Sequence, residues 1–580
     1  MVVSDDVDAS SEFDLENTTN IIGDLIASQK PQINVTKIHA DAYVQESSSG
    51  GERYPEVNKS LFDAIELGAL VVNYFGHGGE DGLASERLFD ILNVKELKNQ
   101  CKLNCFVTVT CEYTKFDNPN RPTAGEYLYW NPDGGAIAML TTTRRIFLNV
   151  GVLFNVKLQD YLFGINGAPE NISMAEALRL TKSNSSLSNV SQRRLVFFIG
   201  DPAMKLALPK PEIKLTHING SPIEGNSELL RALDRATLKG AVLDETGNLL
   251  TNYNGNLTAT VFDKNINRST LGNDGVTNGQ GELILLDFET LGATVFKGQA
   301  SVVNGQFEFS FIIPRDIQIA EGNGKVSFYA KEDNGLIDQT GSDLTVKIGG
   351  INPNASEDNI GPTISLFMND ESFISGGITN ENPTLLVKLF DLNGINTIGG
   401  VGHDILATID GDDANAFNLN DYYTANQDDF QTGKVIYPFR DLESGEHTLK
   451  LKAWDVYNNA SESEIRFVVY NENDGLKIDH VLNYPNPFIN YTEFWFNHNS
   501  SEPLDIMVQI FTISGKLIKT IKGQSTGDGK ETSALSRDLT WDGTDDFGDF
   551  IGKGVYIYKL SVRSIATGST ASKFEKLVKL

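Results

Sequence analysis

Over the first 210 residues the apolar positions follow two periods. Residues 13–28 carry Leu15, Ile21, Ile22, Leu25 and Ile26 at helical spacing, residues 33–42 alternate as a short strand, and residues 58–67 are helical again. Residues 69–75, Ala-Leu-Val-Val-Asn-Tyr-Phe, form an unbroken apolar run. Helical spacing returns at 88–98, a second run occupies 106–111, residues 124–129 read as helix, and 134–141 read as a further core strand. Residues 147–163 and 173–183 are predicted helices, the second opened by Ser173 with Glu176 three positions on, the spacing of a capping box. Continuous apolar runs alternating with helical segments predict a buried parallel sheet covered by helices, an α/β domain over residues 1–210.

Beyond residue 211 the helical period nearly vanishes. Short alternating segments separated by Gly, Asn and Asp predict stacked β-sandwich modules of immunoglobulin-like type over 211–350 and 359–474, and a further β module over 476–580. Residues 238–249 start a hairpin, Phe307, Phe309, Phe311 and Ile313 share one strand face, and the Gly-, Asn- and Pro-rich segment 347–358 reads as a linker. The acidic loops at 391–394 and 410–413 have calcium-like composition but lack EF-hand spacing, so solvated turns are expected there. In the last module Ser514-Gly515 is a hairpin turn and Trp541 a core anchor.

The two apolar runs of the α/β domain each end on a reactive side chain, the first at His77 and the second at Cys111. Parallel sheets bind ligands at the carboxyl ends of their strands. Neighbouring strands would there present an imidazole beside a thiol, the pair that makes a nucleophile and its general base. Gly76, Gly78 and Gly79 flank His77 and are expected to leave room for a substrate backbone. The amides of Gly78 and Cys111 are candidates for an oxyanion hole. An orienting carboxylate is also expected, with Asp5 and Asp6 as candidates. The loop 112–122 is expected to line the cleft.

Composition narrows the partners. A formal net charge of -29 argues against nucleic acid. The three cysteines all lie between 101 and 111, which excludes a disulfide framework. Cys101 and Cys105 lack a matching downstream cluster, so no metal site and no cofactor are expected, and both thiols read as structural. No apolar run reaches the ~20 residues of a membrane helix. The start, with acidic residues straight after a strand-like Val-Val-Ser, reads as lying inside a domain.

Tyr74-Phe-Gly-His-Gly-Gly79 followed by Val107-Thr-Val-Thr-Cys111, with Phe197-Phe-Ile-Gly-Asp-Pro-Ala-Met204 further on, resembles the gingipain-type cysteine peptidases. The resemblance implies a caspase-like fold, Cys111 as nucleophile and His77 as general base and acid. Asn483-Tyr-Pro-Asn-Pro-Phe488, 510–518, Leu539-Thr-Trp-Asp-Gly543 and 552–558, together and in this order, resemble a type IX sorting domain. Over its whole length the chain is similar to the sortases of the type IX secretion system of Bacteroidetes. That similarity implies removal of sorting domains from secreted cargo and attachment of the cargo to lipopolysaccharide. It also implies an outer-membrane shuttle barrel as partner and a place on the outer face of the outer membrane. Two other functions fit the same residues: a secreted degradative peptidase, and a surface adhesin with an inactive α/β domain.

Overall fold

The computed structural model describes the chain except for residues 49–50, 226–227, 334, 336, 401, 471–474, 501–502, 526–535 and 566. Its N-terminal sheet has six strands: β1 Val2–Ser4, β2 Lys37–His39, β3 Val71–Phe75, β4 Asn104–Val109, β5 Ala136–Thr142 and β6 Val196–Ile199. They lie side by side in the order β6-β5-β4-β3-β1-β2. The first five run parallel, while β6 is antiparallel to β5, an edge the helix–strand alternation does not reveal.

Side-chain alternation along these strands divides the domain into two cores. Val71, Phe75, Val107, Val109 and Leu140 point to one face, where α1 Phe13–Gln29, α5 Leu148–Phe163 and α6 Met174–Ser183 supply Leu15, Ile22, Phe154, Leu158 and Ala177. Val72, Tyr74, Phe106 and Met139 point to the other. There α2 Pro55–Leu67, α3 Ile91–Glu96 and α4 Ala124–Trp130 supply Val57, Leu61, Val94 and Leu128. Apolar burial on both faces explains why the strands read as continuous runs rather than alternating ones.

The crossover predicted over 88–98 is shorter than its period suggests. Phe89–Asp90 is a strand paired with Gly82–Leu83, and the Asp90 carboxylate accepts the Leu92 and Asn93 N–H groups, starting the helix at Ile91. Likewise the strand predicted over 33–42 narrows to Lys37–His39 and turns into a 3₁₀ segment, Ala40–Ala42.

One buried carboxyl carries a stability prediction. Glu16 on α1 is 1% exposed and its Oε1 has no partner. Burial, with the Asp41 and Asp6 charges, pushes its carboxyl up to about 8. The folded state therefore holds a proton that the unfolded chain releases above about pH 4.3. The stability from the neutral form is present below that value and is lost as pH rises towards 8. Glu16→Gln is expected to stabilise the domain by about 2–3 kcal/mol at pH 7.5, with the gain gone at pH 4.5. Denaturant melts at the two pH values check this.

Among the described residues of the β region lie three large cores, spanning 213–348, 366–469 and 481–577, and a small cluster of Leu233, Val456 and Tyr457. The first two are less separate than predicted. Thr294–Val303 pairs in parallel with Tyr423–Gln427, joining them into one twelve-stranded sheet, and Phe296 packs against both cores. Nor is 347–358 simply a linker. Lys347–Ile351 is a strand between Leu229–Ala232 and Gly322–Asn323, with its own Ile348 and the preceding Val346 buried in the first core. Phe307, Phe309, Phe311 and Ile313 are all buried on one face, as their spacing predicts.

The last unit has a three-stranded and a four-stranded sheet around Phe488, Trp541 and Tyr558. Gly515, at φ 85°, makes the turn between Leu504–Thr512 and Leu517–Gln524. The predicted boundary near 474 falls partly on residues outside those described, as do residues 49 and 50 of the loop predicted over 47–53.

The two acidic loops differ. Asp410 binds His447 Nδ1 at 2.6 Å and Asp412 caps a short 3₁₀ segment, an exposed turn as expected. Asp391 is instead buried, with Asp358 and Asp455 within 4.8 Å, and burial pushes its carboxyl up to about 6. The solvated-turn expectation fails there because the loop packs under the Asp358 and Asp455 segments.

Both joined β units dock on the α/β domain. The Asp41 carboxylate accepts the Gly272 N–H and the backbone and side-chain N–H groups of Asn273, each at 2.8 Å. His39 stands edge-on to Phe288 at 4.6 Å. From the second unit Arg440 pairs with the buried Glu66 at 2.6 Å.

Candidate active site

Strands β3 and β4 are neighbours, and their register places Phe75 opposite Val109. His77 follows Phe75 by two residues and Cys111 follows Val109 by two. Both therefore leave the sheet at the same level on its carboxyl edge. His77 is half-exposed and Cys111 partly buried, its Sγ 3.9 Å from the Ile146 carbonyl.

The His77 backbone is fixed on both sides. Its N–H donates to Asp5 Oδ2 at 2.7 Å, and its carbonyl accepts the Tyr74 hydroxyl at 2.6 Å and the Ala84 N–H at 3.0 Å. The ring is held separately: Nε2 lies 3.0 Å from Glu12 Oε1, while Glu12 Oε2 accepts the Ala9 N–H at 2.9 Å. Pinning Nε2 to a carboxylate selects the tautomer with the proton on Nε2 and leaves Nδ1 as the basic nitrogen.

The expected orienting carboxylates therefore have other tasks. Asp5 holds the His77 backbone, not its ring, and Asp6 accepts the Tyr54 hydroxyl at 2.9 Å. Burial, then the Asp6 charge, pushes the Asp5 carboxyl well above its usual range, against the pull of the His77 N–H. Burial and the Glu86 charge push Asp6 up to about 7. Glu12 was missed because it lies 65 positions from His77 in a segment without apolar period. The usable signal was its place in the first turn after β1, which pairs directly with the His77 strand.

The glycines around His77 also differ from expectation. A Cβ on Gly76 would lie 2.4 Å from the Tyr74 hydroxyl and 2.5 Å from Asp5 Cβ, and one on Gly78 would lie 2.6 Å from Thr110 Oγ1. Internal packing demands glycine at both positions. Only at Gly79 is the Cβ side open. Gly78 stands opposite Leu83 in a two-residue ladder in which Ala84 N–H donates to the His77 carbonyl. That makes Gly78–Leu83 a non-hydrogen-bonded pair, so the ladder does not use the Gly78 amide.

The loop after Cys111 is tied to the turn after His77. Lys115 bridges Glu80 (3.0 Å) and Glu112 (3.2 Å), Arg121 pairs with Asp81 at 2.8 Å, and Asn118 donates to Glu80 at 2.6 Å. Glu112, next to Cys111, adopts φ 53°, a conformation side chains seldom take. His77, Gly78 and Gly79 line a cavity whose wall continues through Glu80, Asp81 and Asp90.

The other thiols lie apart. Cys105 is buried under the α1 face of the sheet, where burial pushes its thiol up to about 12, and Cys101 is exposed ahead of β4. No helix among the described residues is long and apolar enough to cross a membrane.

A test of the ring contact is Glu12→Gln. It removes the charge that would stabilise an imidazolium but keeps the side-chain shape. The expected loss in kcat is about 10- to 100-fold, with KM and melting temperature unchanged. Steady-state kinetics beside a thermal melt check it.

Residues 1–207 match peptidase family C25. Solved structures similar to the chain include dimeric latent PorU from Porphyromonas gingivalis, 29% identical, over 77% of this chain and 40% of that one, with a TM-score of 0.31. They also include the arginine-specific cysteine proteinase gingipain R, RgpB, 18% identical over 60% and 66%, TM-score 0.29. A complex of the Porphyromonas gingivalis RgpB pro- and mature domains is 18% identical over 60% and 68%, TM-score 0.29. The chain thus spans 40% of the PorU chain it matches. No curated protein matches it.

Proposed function

We propose that residues 1–207 act as a cysteine peptidase with Cys111 as nucleophile, His77 as base and acid, and Glu12 as the group that orients the imidazole. The observation that carries this reading is the emergence of His77 and Cys111 from adjacent parallel strands at one level, with a carboxylate already on Nε2. The family C25 match covers the same residues. His77 Nδ1 takes the thiol proton as Sγ attacks the scissile carbonyl carbon. The amides of Gly78 and Cys111 bind the oxyanion of the tetrahedral adduct. As the C–N bond breaks, the imidazolium returns that proton to the leaving amine and an acyl-thioester remains on Cys111. An incoming amine or water attacks the thioester, giving its proton to His77, which passes it to the departing thiolate.

The substrate reading is a sortase: the enzyme cuts C-terminal sorting domains from type IX secretion cargo and passes the acyl group to an amine on lipopolysaccharide, at the outer face of the outer membrane. Its support is the ordered sorting-domain motifs at 483–488, 510–518, 539–543 and 552–558. Residues 476–580 would then be a retained docking element for an outer-membrane shuttle barrel. The last two strands, Gly554–Ser564 and Thr570–Lys579, form its terminal hairpin.

The test is a cargo protein bearing its sorting domain, incubated with the enzyme and an amine donor and followed by mass. One cut at the domain junction, with the amine's mass added to the new carboxyl end, supports the sortase. Many cuts across unrelated unfolded proteins without transfer support a degradative peptidase instead.

A further inference from the structure

We infer that Thr142 is a positioning residue for the oxyanion site: its hydroxyl turns the peptide between Thr110 and Cys111 so that the Cys111 N–H faces the scissile carbonyl oxygen. This role rests on the peptidase reading of Cys111 and concerns one of its two oxyanion donors. Cys111 sits in a turn that no strand pairing fixes, since β4 ends at Val109 and Glu112, on the far side of Cys111, has φ 53°. Thr142, the last residue of β5, holds that turn at both ends. Its hydroxyl donates to the Thr110 carbonyl, and its own carbonyl accepts the Thr114 N–H at 3.1 Å. Thr141, on the opposite face of the strand, adds a second tie: its Oγ1 accepts the Thr108 hydroxyl at 2.8 Å and lies 2.9 Å from Thr114 Oγ1.

The direction of the amide follows from the trans peptide. In one planar trans unit the C=O and the N–H point opposite ways. The Thr110 carbonyl is held towards β5, so the Cys111 N–H points away from it, to the side of β4 on which β3 lies and from which His77 and Gly78 emerge. That N–H has no acceptor among the described residues. Thr110 reaches the second donor as well: a Cβ on Gly78 would lie 2.6 Å from Thr110 Oγ1 and 3.0 Å from its Cγ2. Thr110 thus spans the two amides, with its side chain against Gly78 and its carbonyl on Thr142.

Packing alone would not choose threonine at position 142. It shares a strand face with Ala138 and Leu140, which belong to the apolar core under α1 and α5, and it is fully buried. Valine has nearly the same shape and the same stiff χ1; what it lacks is the donor. A hydroxyl in such a place is costly unless it is bonded. Its bond here goes to the carbonyl whose direction sets the Cys111 amide, and β-branching keeps the hydroxyl from swinging away.

The test compares Thr142→Val, which removes the donor, with Thr142→Ser, which keeps it, in the full chain. Cleavage of a fluorogenic peptide needs the oxyanion site. Binding of the matching peptide aldehyde needs it too, because Sγ adds to the aldehyde carbon, the carbonyl electron pair moves onto oxygen and the thiol proton passes to His77. Alkylation of Cys111 by iodoacetamide, in which the thiolate displaces iodide at a saturated carbon, does not. In Thr142→Val, kcat is expected to fall about 10- to 100-fold with KM within about twofold, and aldehyde affinity to fall by the same factor as kcat. The rate of Cys111 alkylation, read by peptide mapping, should stay within about twofold of the parent, because no oxyanion forms. Thr142→Ser should stay within about threefold of the parent in all three, since it keeps the donor. Thermal melts establish that the chains are folded; if Thr142→Val is not, Thr142→Ala, which removes the same donor without crowding the site, carries the same expectations. Parent-like kcat and aldehyde affinity without the donor overturn the inference. So does alkylation that falls along with kcat, which would place the effect on the thiol, or a serine variant as impaired as the valine one. A parent that neither cleaves the peptide nor binds the aldehyde removes the peptidase reading and this role with it.

Discussion

Replacing Cys111 by alanine is expected to reduce peptide cleavage to background, a loss of at least about 10⁴-fold, with little change in melting temperature. The size of the effect follows from chemistry: without Sγ no acyl-thioester forms, and His77 has no proton to take. The small structural cost follows from placement. Cys111 lies beyond the last paired residue of β4, and its thiol's contact with the Ile146 carbonyl is a long one, 3.9 Å. Surface-proximal truncations of this kind stay within about 0.5 kcal/mol. Turnover of a fluorogenic peptide beside a denaturant melt measures both. Activity retained in Cys111→Ala would move the nucleophile elsewhere.

The second large effect is His77→Ala, with an expected fall in kcat/KM of about 10³-fold or more near neutral pH. Two roles are lost together: deprotonation of the thiol and protonation of the leaving amine. The diagnostic lies in pH dependence. Without its base the thiol can reach the nucleophilic thiolate only by losing its proton to solvent, so residual activity should climb steeply with rising pH. The parent enzyme should not show that slope. The side chain is half-exposed, so its loss should leave the fold intact. The backbone contacts to Asp5, Tyr74 and Ala84 do not depend on the ring.

The sequence pattern located β3, β4, the helices and the His77–Cys111 pair because two-sided burial leaves a strong local mark. Val71–Phe75 and Asn104–Val109 are buried along their whole length, and each ends two residues before its reactive residue. What remained hidden depends on contacts distant in sequence. Glu12 reaches His77 only because β1 lies against β3, a pairing that no local period encodes. The cramped surroundings of Gly76 and Gly78 depend on Tyr74, Asp5 and Thr110 folding back on them, so glycines that read as space for substrate are space for the protein itself. The parallel pairing of Thr294–Val303 with Tyr423–Gln427 joins segments over a hundred residues apart, which no local period encodes. Asp391 carried the composition of a surface turn, and only the approach of Asp358 and Asp455 shows it to be buried.

The central claim, that Cys111 is a nucleophile activated by His77, is tested most directly by covalent trapping. The full chain is treated at neutral pH with a peptidyl acyloxymethyl ketone, and the adduct is located by intact mass and peptide mapping. A single adduct on Cys111 is expected, lost in His77→Ala at the same pH, with the exposed Cys101 and the buried Cys105 unmodified. An adduct on Cys101 with Cys111 untouched, or labelling of Cys111 that persists undiminished in His77→Ala, would contradict the account.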